Sequence, residues 1–162
     1  MQTSIAAEVL QLCREQGLTL AAAESCTGGL VAKRITDIAG ASEVFGFGCV
    51  TYSNAAKQRL LGVSQETLER CTAVSEQTAL EMARGVRALS GADIGLSVTG
   101  YAGPGGGTEE HPVGTVFIGL GGAGGERGVC PERRYMRSGE QVRRAAASHA
   151  LDLVRREVLE RA

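Results

Sequence analysis

The 162-residue sequence has no tryptophan, three tyrosines, three phenylalanines and two histidines. So few aromatic side chains argue against a surface that stacks the bases of single-stranded nucleic acid. The formal net charge is -1, and binding to a phosphate backbone requires a clearly basic face. We therefore expect no nucleic acid partner.

Disulfide, metal and membrane signatures are also missing. The five cysteines are widely spaced without a CxxC pair, and the first 16 residues lack the apolar core of a secretory signal. Free thiols in a reducing cytoplasm are the expectation. His111 and His149 lack metal-ligand spacing to cysteine or carboxylate pairs, so no metal site is predicted. No apolar stretch approaches the roughly 18 residues of a membrane span, so no membrane partner is predicted.

Glycine is abundant, with 23 residues concentrated at 28–29, 46–48, 100–107 and 119–128. Such clusters mark particular loops and close approaches of the backbone. Hydrophobic residues make up 43% of the chain, which supports a core for one domain over residues 1–162. Apolar helix faces and the 119–128 stretch would permit a homodimer, although nothing in the sequence requires one.

The order of apolar patterns predicts alternating strands and helices. The predicted strands are 18–23, 45–52, 93–98, 113–120 and 129–136, and the predicted helices are 4–16, 27–38, 53–62, a turn from 64, 75–90 and 139–160. This alternation predicts an α/β fold with a mainly parallel sheet. The link between the third and fourth strands contains no helix, which favours an antiparallel neighbour there.

Three polar or glycine-containing segments follow predicted parallel strands, at 24–29, 52–57 and 99–108. The carboxyl ends of parallel strands lie along one edge of the sheet, where open α/β folds bind ligands. We therefore expect the candidate site at this edge.

Ser25 lies just before a predicted helix whose first amides come from residues 26–29. Unpaired amides at that point could stabilise an oxyanion formed on a carbonyl that Ser25 attacks. The alternative is that Ser25 is simply the N-cap of the helix. Cys26 is a second candidate nucleophile, because thiol pKa values fall at helix starts.

Tyr52 and Lys57 could supply the base that a serine nucleophile needs. A lysine held neutral by desolvation can accept a hydroxyl proton, and a tyrosine at a strand end could orient it. The alternative is a surface lysine beside a half-buried tyrosine.

Thr99 and the glycines that follow it resemble a backbone cradle for a phosphate or a ribose, because glycine allows close approach. The segment contains neither GKS nor GKT, and it does not match GxGxxG followed by a helix. A P-loop and a Rossmann dinucleotide site are therefore not predicted. A flexible glycine turn is the alternative.

Four segments in this order resemble the signatures of the CinA C-terminal-domain family, in its stand-alone form without the N-terminal domain of full-length CinA proteins. They are Ala23–Gly29 (AESCTGG), Val50–Asn54 (VTYSN) followed by Lys57, Thr99–Thr108 (TGYAGPGGGT) and Pro112–Thr115 (PVGT). Together they cover essentially the whole chain.

The resemblance implies a cytoplasmic amidohydrolase that converts nicotinamide mononucleotide to nicotinic acid mononucleotide and ammonia without a metal or organic cofactor. It implies that Ser25 is the nucleophile and that Lys57 and Tyr52 activate it. It also implies a three-layer α/β/α sandwich with a five-stranded mixed sheet. The expected substrate-binding positions are Thr27, Gly28, Gly29, Asn54, Thr99, Gly100, Ala102, Gly103 and Arg137.

Departures from the family pattern leave two other interpretations open. Gly139 stands where the family usually has a substrate-binding arginine, and Arg137 is the candidate replacement. Cys71-Thr72 replaces a usual His-Gly, His111 a lysine and Tyr101 an isoleucine. The alternatives are a non-catalytic or altered-specificity nucleotide-binding relative and an amidase acting on another small carboxamide.

Overall fold

The structure, a computed structural model, describes residues 3–131 and 138–161. Within those ranges the chain forms five strands and six α-helices. They are α1 (Ile5–Gln16), β1 (Leu20–Glu24), α2 (Leu30–Thr36), β2 (Phe45–Val50), α3 (Asn54–Leu61), α4 (Gln65–Arg70), α5 (Glu76–Ser90), β3 (Ile94–Gly100), β4 (Val116–Gly122), β5 (Gly125–Val129) and α6 (Gly139–Arg161). A short 3-10 turn, Ala41–Glu43, precedes β2.

Capping residues define the ends of most helices. The helices α1, α3, α4 and α5 each begin after a serine whose hydroxyl oxygen accepts a hydrogen bond from the amide three residues later. Gly17, Gly62 and Gly91 end α1, α3 and α5 in the left-handed conformation. These are the residue types that satisfy free backbone groups at helix ends.

The sheet has the strand order β2-β1-β3-β4-β5. The strand β1 pairs in parallel with β2 and β3, whereas β4 pairs antiparallel with β3 and β5. A single reversed strand, β4, therefore makes the sheet mixed. The predicted fold class, including an antiparallel neighbour for the third strand, is confirmed.

Helices cover both faces of the sheet. Leu20 and Ala22 of β1 belong to a core with residues of α1, α2 and α6. Ala21 and Ala23, on the opposite face, pack with Leu61 of α3 and with residues of α5. The alternation of β1 side chains thus separates two cores, as expected for a strand covered on both faces.

Several element boundaries differ from the predictions by a few residues, and two of these differences have a clear structural cause. The helix α2 begins at Leu30 and not near residue 27, because residues 25–29 form turns in which Gly28 and Gly29 take φ values of 62° and 106°. The last described strand is Gly125–Val129 and begins four residues before the predicted start at 129, because residues 122–125 form the turn of a hairpin with β4. Positions 132–136 lie outside the described residues.

Cys13, Cys26, Cys49 and Cys71 are free thiols, and the first two of these are buried. No helix in the described ranges is both long and apolar enough to cross a membrane.

Glycines in β3 and β4 allow α5 to approach the sheet closely. A Cβ at Gly119 would lie 2.2 Å from the Ala79 carbonyl oxygen and 2.6 Å from Ser97 Oγ. A Cβ at Gly95 would lie 2.3 Å from the Ala83 carbonyl oxygen. Part of the 119–128 glycine cluster therefore serves packing within the chain.

We predict that Gly119→Ala lowers the free energy of unfolding by about 2 kcal/mol or more, because the added methyl group overlaps the α5 backbone. Gly121→Ala is the matched control on the same strand and face. Its added Cβ would have no atom nearer than Ala83 C at 4.0 Å. Urea unfolding of both variants measures the difference, and equal destabilisation would contradict this view of the α5 contact.

Candidate active site

A cavity of about 250 Å³ lies at the carboxyl ends of the parallel strands. Eight of the predicted site residues line it, namely Ser25, Tyr52, Asn54, Lys57, Thr99, Gly100, Ala102 and Gly103. Thr27, Gly28 and Gly29 do not line it, and Arg137 lies outside the described residues. The structure therefore brings residues of all three predicted segments together at the carboxyl edge of the parallel strands, where the ligand site was expected.

Backbone hydrogen bonds fix Ser25 directly after β1. Its amide donates to the Val98 carbonyl oxygen at 2.9 Å, and its own carbonyl oxygen accepts from the Gly28 amide at 3.0 Å. Since α2 begins only at Leu30, Ser25 is not the N-cap of that helix. The residue is buried but lines the cavity, so its hydroxyl group is presented there by the turn and not by the helix.

A carboxylate of the protein occupies the N-terminus of α2. Glu24 is 1% exposed, and its side chain accepts a hydrogen bond from the Thr27 hydroxyl at 2.6 Å. The amides of Val31 and Ala32 donate to the same carboxylate at 2.8 and 3.1 Å. These bonds satisfy free amides of the helix start. The prediction of an oxyanion site concerned the amides of residues 26–29, and of these the Gly28 amide is not free, because it donates to the Ser25 carbonyl oxygen.

Lys57, in α3, is 1% exposed, and its side chain contacts Ser25. Its Nζ donates hydrogen bonds to Ser25 Oγ at 2.9 Å and to the Thr51 carbonyl oxygen at 2.7 Å. The Thr51 amide in turn donates to the Glu24 carbonyl oxygen at 2.8 Å. The alternative of a surface lysine is wrong, because the side chain is buried against the ends of β1 and β2.

Burial lowers the pKa of Lys57 from its ordinary value of 10.5 to about 8, because an ammonium group loses solvation in the interior. With that pKa, about one Lys57 side chain in ten is neutral at pH 7. A thiolate at Cys26 would oppose the shift. However, burial raises the pKa of the Cys26 thiol to about 12, which keeps it protonated.

These pKa shifts separate the two candidate nucleophiles. The expectation that a helix start lowers the pKa of Cys26 is wrong, because desolvation outweighs the other influences on this thiol. Ser25, by contrast, is hydrogen-bonded to a lysine that can become neutral. Of these two candidates, Ser25 is therefore the one whose side chain contacts a potential base.

Tyr52 lies at the mouth of the cavity with 75% of its surface exposed. Within the described part of the chain it hydrogen-bonds neither Ser25 nor Lys57. The structure therefore joins two members of the predicted catalytic trio and leaves the third at the rim. Tyr52 follows β2 and is exposed, whereas Lys57, one turn into α3, is buried.

Thr99 connects β3 to the segment that precedes α5. Its hydroxyl donates to the Ala73 carbonyl oxygen at 2.7 Å, and Ala73 and Val74 form part of the cavity wall. The Thr99 hydroxyl hydrogen is thus used in a hydrogen bond within the protein. Thr99 shapes the cavity as well as lining it.

Backbone hydrogen bonds hold the start of the glycine loop after Thr99 against the segment that precedes β4. The Tyr101 amide donates to the Thr115 carbonyl oxygen at 2.9 Å, and the Gly114 amide donates to the Tyr101 carbonyl oxygen at 2.7 Å. A Cβ at Gly107, whose φ is 82°, would lie 2.7 Å from the Val113 amide nitrogen. Some of these glycines are therefore required by packing of the loop on itself, while Gly103 and Gly105 face the cavity.

Sequence reasoning missed one charged residue of the cavity, Arg143. It follows Gly139 by four residues in α6, and positions i and i+4 lie on one face of a helix. Because the resemblance places a family substrate arginine at the position of Gly139, that spacing could have indicated Arg143. In the described ranges, no three His, Cys, Asp or Glu residues are close enough together to hold a metal ion.

The chain is similar to known proteins in both sequence and structure. Residues 2–158 match the family model described as the CinA C-terminal domain. A CinA-like protein of Desulfovibrio desulfuricans is 54% identical over 156 residues, which cover 95% of this chain and 36% of the relative. A putative competence-damage inducible protein of Caldanaerobacter subterraneus is 50% identical over 154 residues, which cover 91% of this chain and 35% of the relative. The chain thus spans about a third of the length of these curated relatives.

Solved structures cover nearly the whole chain. The competence/damage inducible protein CihA of Agrobacterium tumefaciens has a TM-score of 0.87 and 41% identity, covering 95% of this chain and 97% of that one. A CinA superfamily protein of Klebsiella pneumoniae has a TM-score of 0.91 and 33% identity, with 96% of each chain covered. These values extend the similarity from the sequence to the fold.

The Glu24 contacts generate a stability prediction. Glu24→Gln places an amide NH2 group where one carboxylate oxygen accepts a hydrogen bond, so a buried donor faces a donor. We expect a loss of about 2 kcal/mol in the free energy of unfolding, measured by urea denaturation. Glu43→Gln is the control, because Glu43 is exposed in its ion pair with Arg14 and should change stability by less than about 1 kcal/mol. A Glu24→Gln variant as stable as this control would contradict the capping role.

Proposed function

The chain belongs to the CinA C-terminal domain family, and on that premise we propose that it is a serine amidohydrolase that converts nicotinamide mononucleotide to nicotinic acid mononucleotide and ammonia. The observation that carries the proposal is the 2.9 Å contact between Ser25 Oγ and the buried Lys57 Nζ. The nucleotide substrate rests on the resemblance of the four signature segments.

In the first half-reaction, neutral Lys57 accepts the hydroxyl proton while Ser25 Oγ attacks the carboxamide carbon. A tetrahedral intermediate forms, with its negative charge on the former carbonyl oxygen. The Lys57 ammonium then returns the proton to the amide nitrogen, the C–N bond breaks, and ammonia leaves. The products of this half-reaction are an ester on Ser25 and a neutral lysine.

In the second half-reaction, Lys57 takes a proton from water, and the resulting hydroxide attacks the ester carbonyl carbon. Collapse of this second intermediate expels Ser25 Oγ, which regains its proton from Lys57. One water molecule is consumed, and the carboxamide becomes a carboxylic acid. The same lysine serves as base and acid in both halves, which suits a pKa of about 8.

Tyr52 has a different place in this proposal from the one that the sequence suggested. Because its exposed ring lies at the cavity mouth, it is positioned to contact a bound ligand and not the lysine. Lys57 already receives its orientation from the Thr51 carbonyl oxygen.

A second candidate function is amide hydrolysis with a different small carboxamide as substrate. It is favoured by Tyr101, which lines the cavity where the family usually has an isoleucine, and by Gly139 at the usual arginine position. The Ser25–Lys57 pair would serve both substrates alike. A panel of carboxamides beside nicotinamide mononucleotide distinguishes these functions.

The test of the proposed function is ammonia release from nicotinamide mononucleotide by EDTA-treated protein. We expect Ser25→Ala to lower kcat by about a thousandfold or more, because it removes the nucleophile. Cys26→Ala is the matched control. It removes the neighbouring thiol of the cavity wall, and we expect it to retain activity within about tenfold.

Circular dichroism should show that both variants are folded. Retention of the full rate by Ser25→Ala would contradict the assignment of the nucleophile. A folded, unsubstituted protein that releases no ammonia from nicotinamide mononucleotide would contradict the proposed substrate.

A further inference from the structure

Among the residues that the structure describes, the charged side chains that line the cavity are basic. Lys57 and Arg143 are the charged residues of its lining in those ranges, and no aspartate or glutamate lines it there. A cavity that presents cations without carboxylates favours an anionic ligand. Since Lys57 is hydrogen-bonded to Ser25 and Thr51, Arg143 is the cation available to such a ligand.

Arg143 differs from its neighbours on α6. Arg144, Arg155, Arg156 and Arg161 each form an ion pair with a carboxylate of the same helix. Arg143 forms none within 3–131 and 138–161, the ranges that the structure covers. Arg143 instead lines the cavity, together with Ala102 and Gly103 of the glycine loop.

The missing side chain at Gly139 makes room for this orientation. A Cβ at Gly139 would lie 3.1 Å from Arg143 Nη1, 3.0 Å from the Gly103 carbonyl oxygen and 3.4 Å from the Ala102 carbonyl oxygen. The first two distances are tighter than ordinary van der Waals contact. Any larger residue at 139 would therefore crowd the guanidinium where it lies against the glycine loop.

We propose that Arg143 binds the phosphate group of the nucleotide substrate and that Gly139 creates the space in which its guanidinium lies. This assignment rests on the proposed function, since it places the carboxamide at Ser25 and the phosphate at Arg143. A guanidinium presents a planar set of N–H donors that matches phosphate oxygens in bidentate fashion. Arg143 thus takes the task that the family pattern gives to position 139.

The test compares two ligands that differ by one phosphate group, nicotinamide mononucleotide and nicotinamide riboside. Calorimetry in a Ser25→Ala background measures binding without turnover. Adding Arg143→Ala should weaken binding of the mononucleotide by about 10- to 100-fold, the range expected for charged hydrogen bonds. Binding of the riboside should change by less than about threefold.

Two further variants sharpen the test. Arg144→Ala, which removes the adjacent arginine with its ion pair to Glu140, should leave both affinities unchanged. Gly139→Ala should weaken binding of the mononucleotide and not of the riboside, because the methyl group displaces the guanidinium.

The assignment is overturned if Arg143→Ala weakens both ligands equally, if it weakens neither, or if the parent protein binds neither ligand. Failure of the proposed function has a different signature. The unsubstituted protein would then release no ammonia from the mononucleotide, while its phosphate-dependent binding through Arg143 would persist.

Discussion

The burial of one ammonium group is the constraint on which the site depends. Lys57 is surrounded by protein, and a buried charge is costly unless hydrogen bonds compensate it. Its two acceptors, Ser25 Oγ and the Thr51 carbonyl oxygen, lie just after β1 and β2. The Thr51 amide is bonded to the Glu24 carbonyl oxygen, so these two strand ends hold each other in register. Desolvation makes the burial of the Lys57 ammonium group unfavourable. The same desolvation lowers the pKa of Lys57 into the range where it can act as a base.

Packing far from the nucleophile shapes the rest of the cavity. Glycines at 95 and 119 let α5 lie close to β3 and β4. The segment before α5 is fixed in turn, because the hydroxyl groups of Ser75 and Thr78 both donate to the Thr72 carbonyl oxygen. The residue after Thr72 is Ala73. Its carbonyl oxygen accepts a hydrogen bond from the Thr99 hydroxyl, and the residue forms part of the cavity wall. The segment before α5 is thus hydrogen-bonded both to α5 and to β3 where it lines the cavity.

Much of the fold was predictable because its signals are local. Serine caps, terminal glycines and apolar runs marked the helices and most strands, and the edge rule for parallel sheets brought Ser25 and Lys57 together. The predictions that failed concern features that are determined by tertiary contacts and not by local sequence. The sequence does not show that the Glu24 carboxylate caps α2, that residues 122–125 form the hairpin turn between β4 and β5, or that Tyr52 lies at the mouth of the cavity. Arg143 was missed because its place in the cavity depends on how the first turn of α6 meets the 102–103 loop.

The most direct test of the account is an NMR titration of the lysine side chains. The chain contains two lysines, Lys33 and Lys57, so selective carbon-13 labelling at Cε gives two signals, which a Lys33→Arg variant assigns. We predict that the Lys57 signal titrates with a midpoint near pH 8, charged below it and neutral above it. A midpoint at or above the ordinary lysine value of 10.5 would contradict the account, because Lys57 could not then take the Ser25 proton near neutral pH.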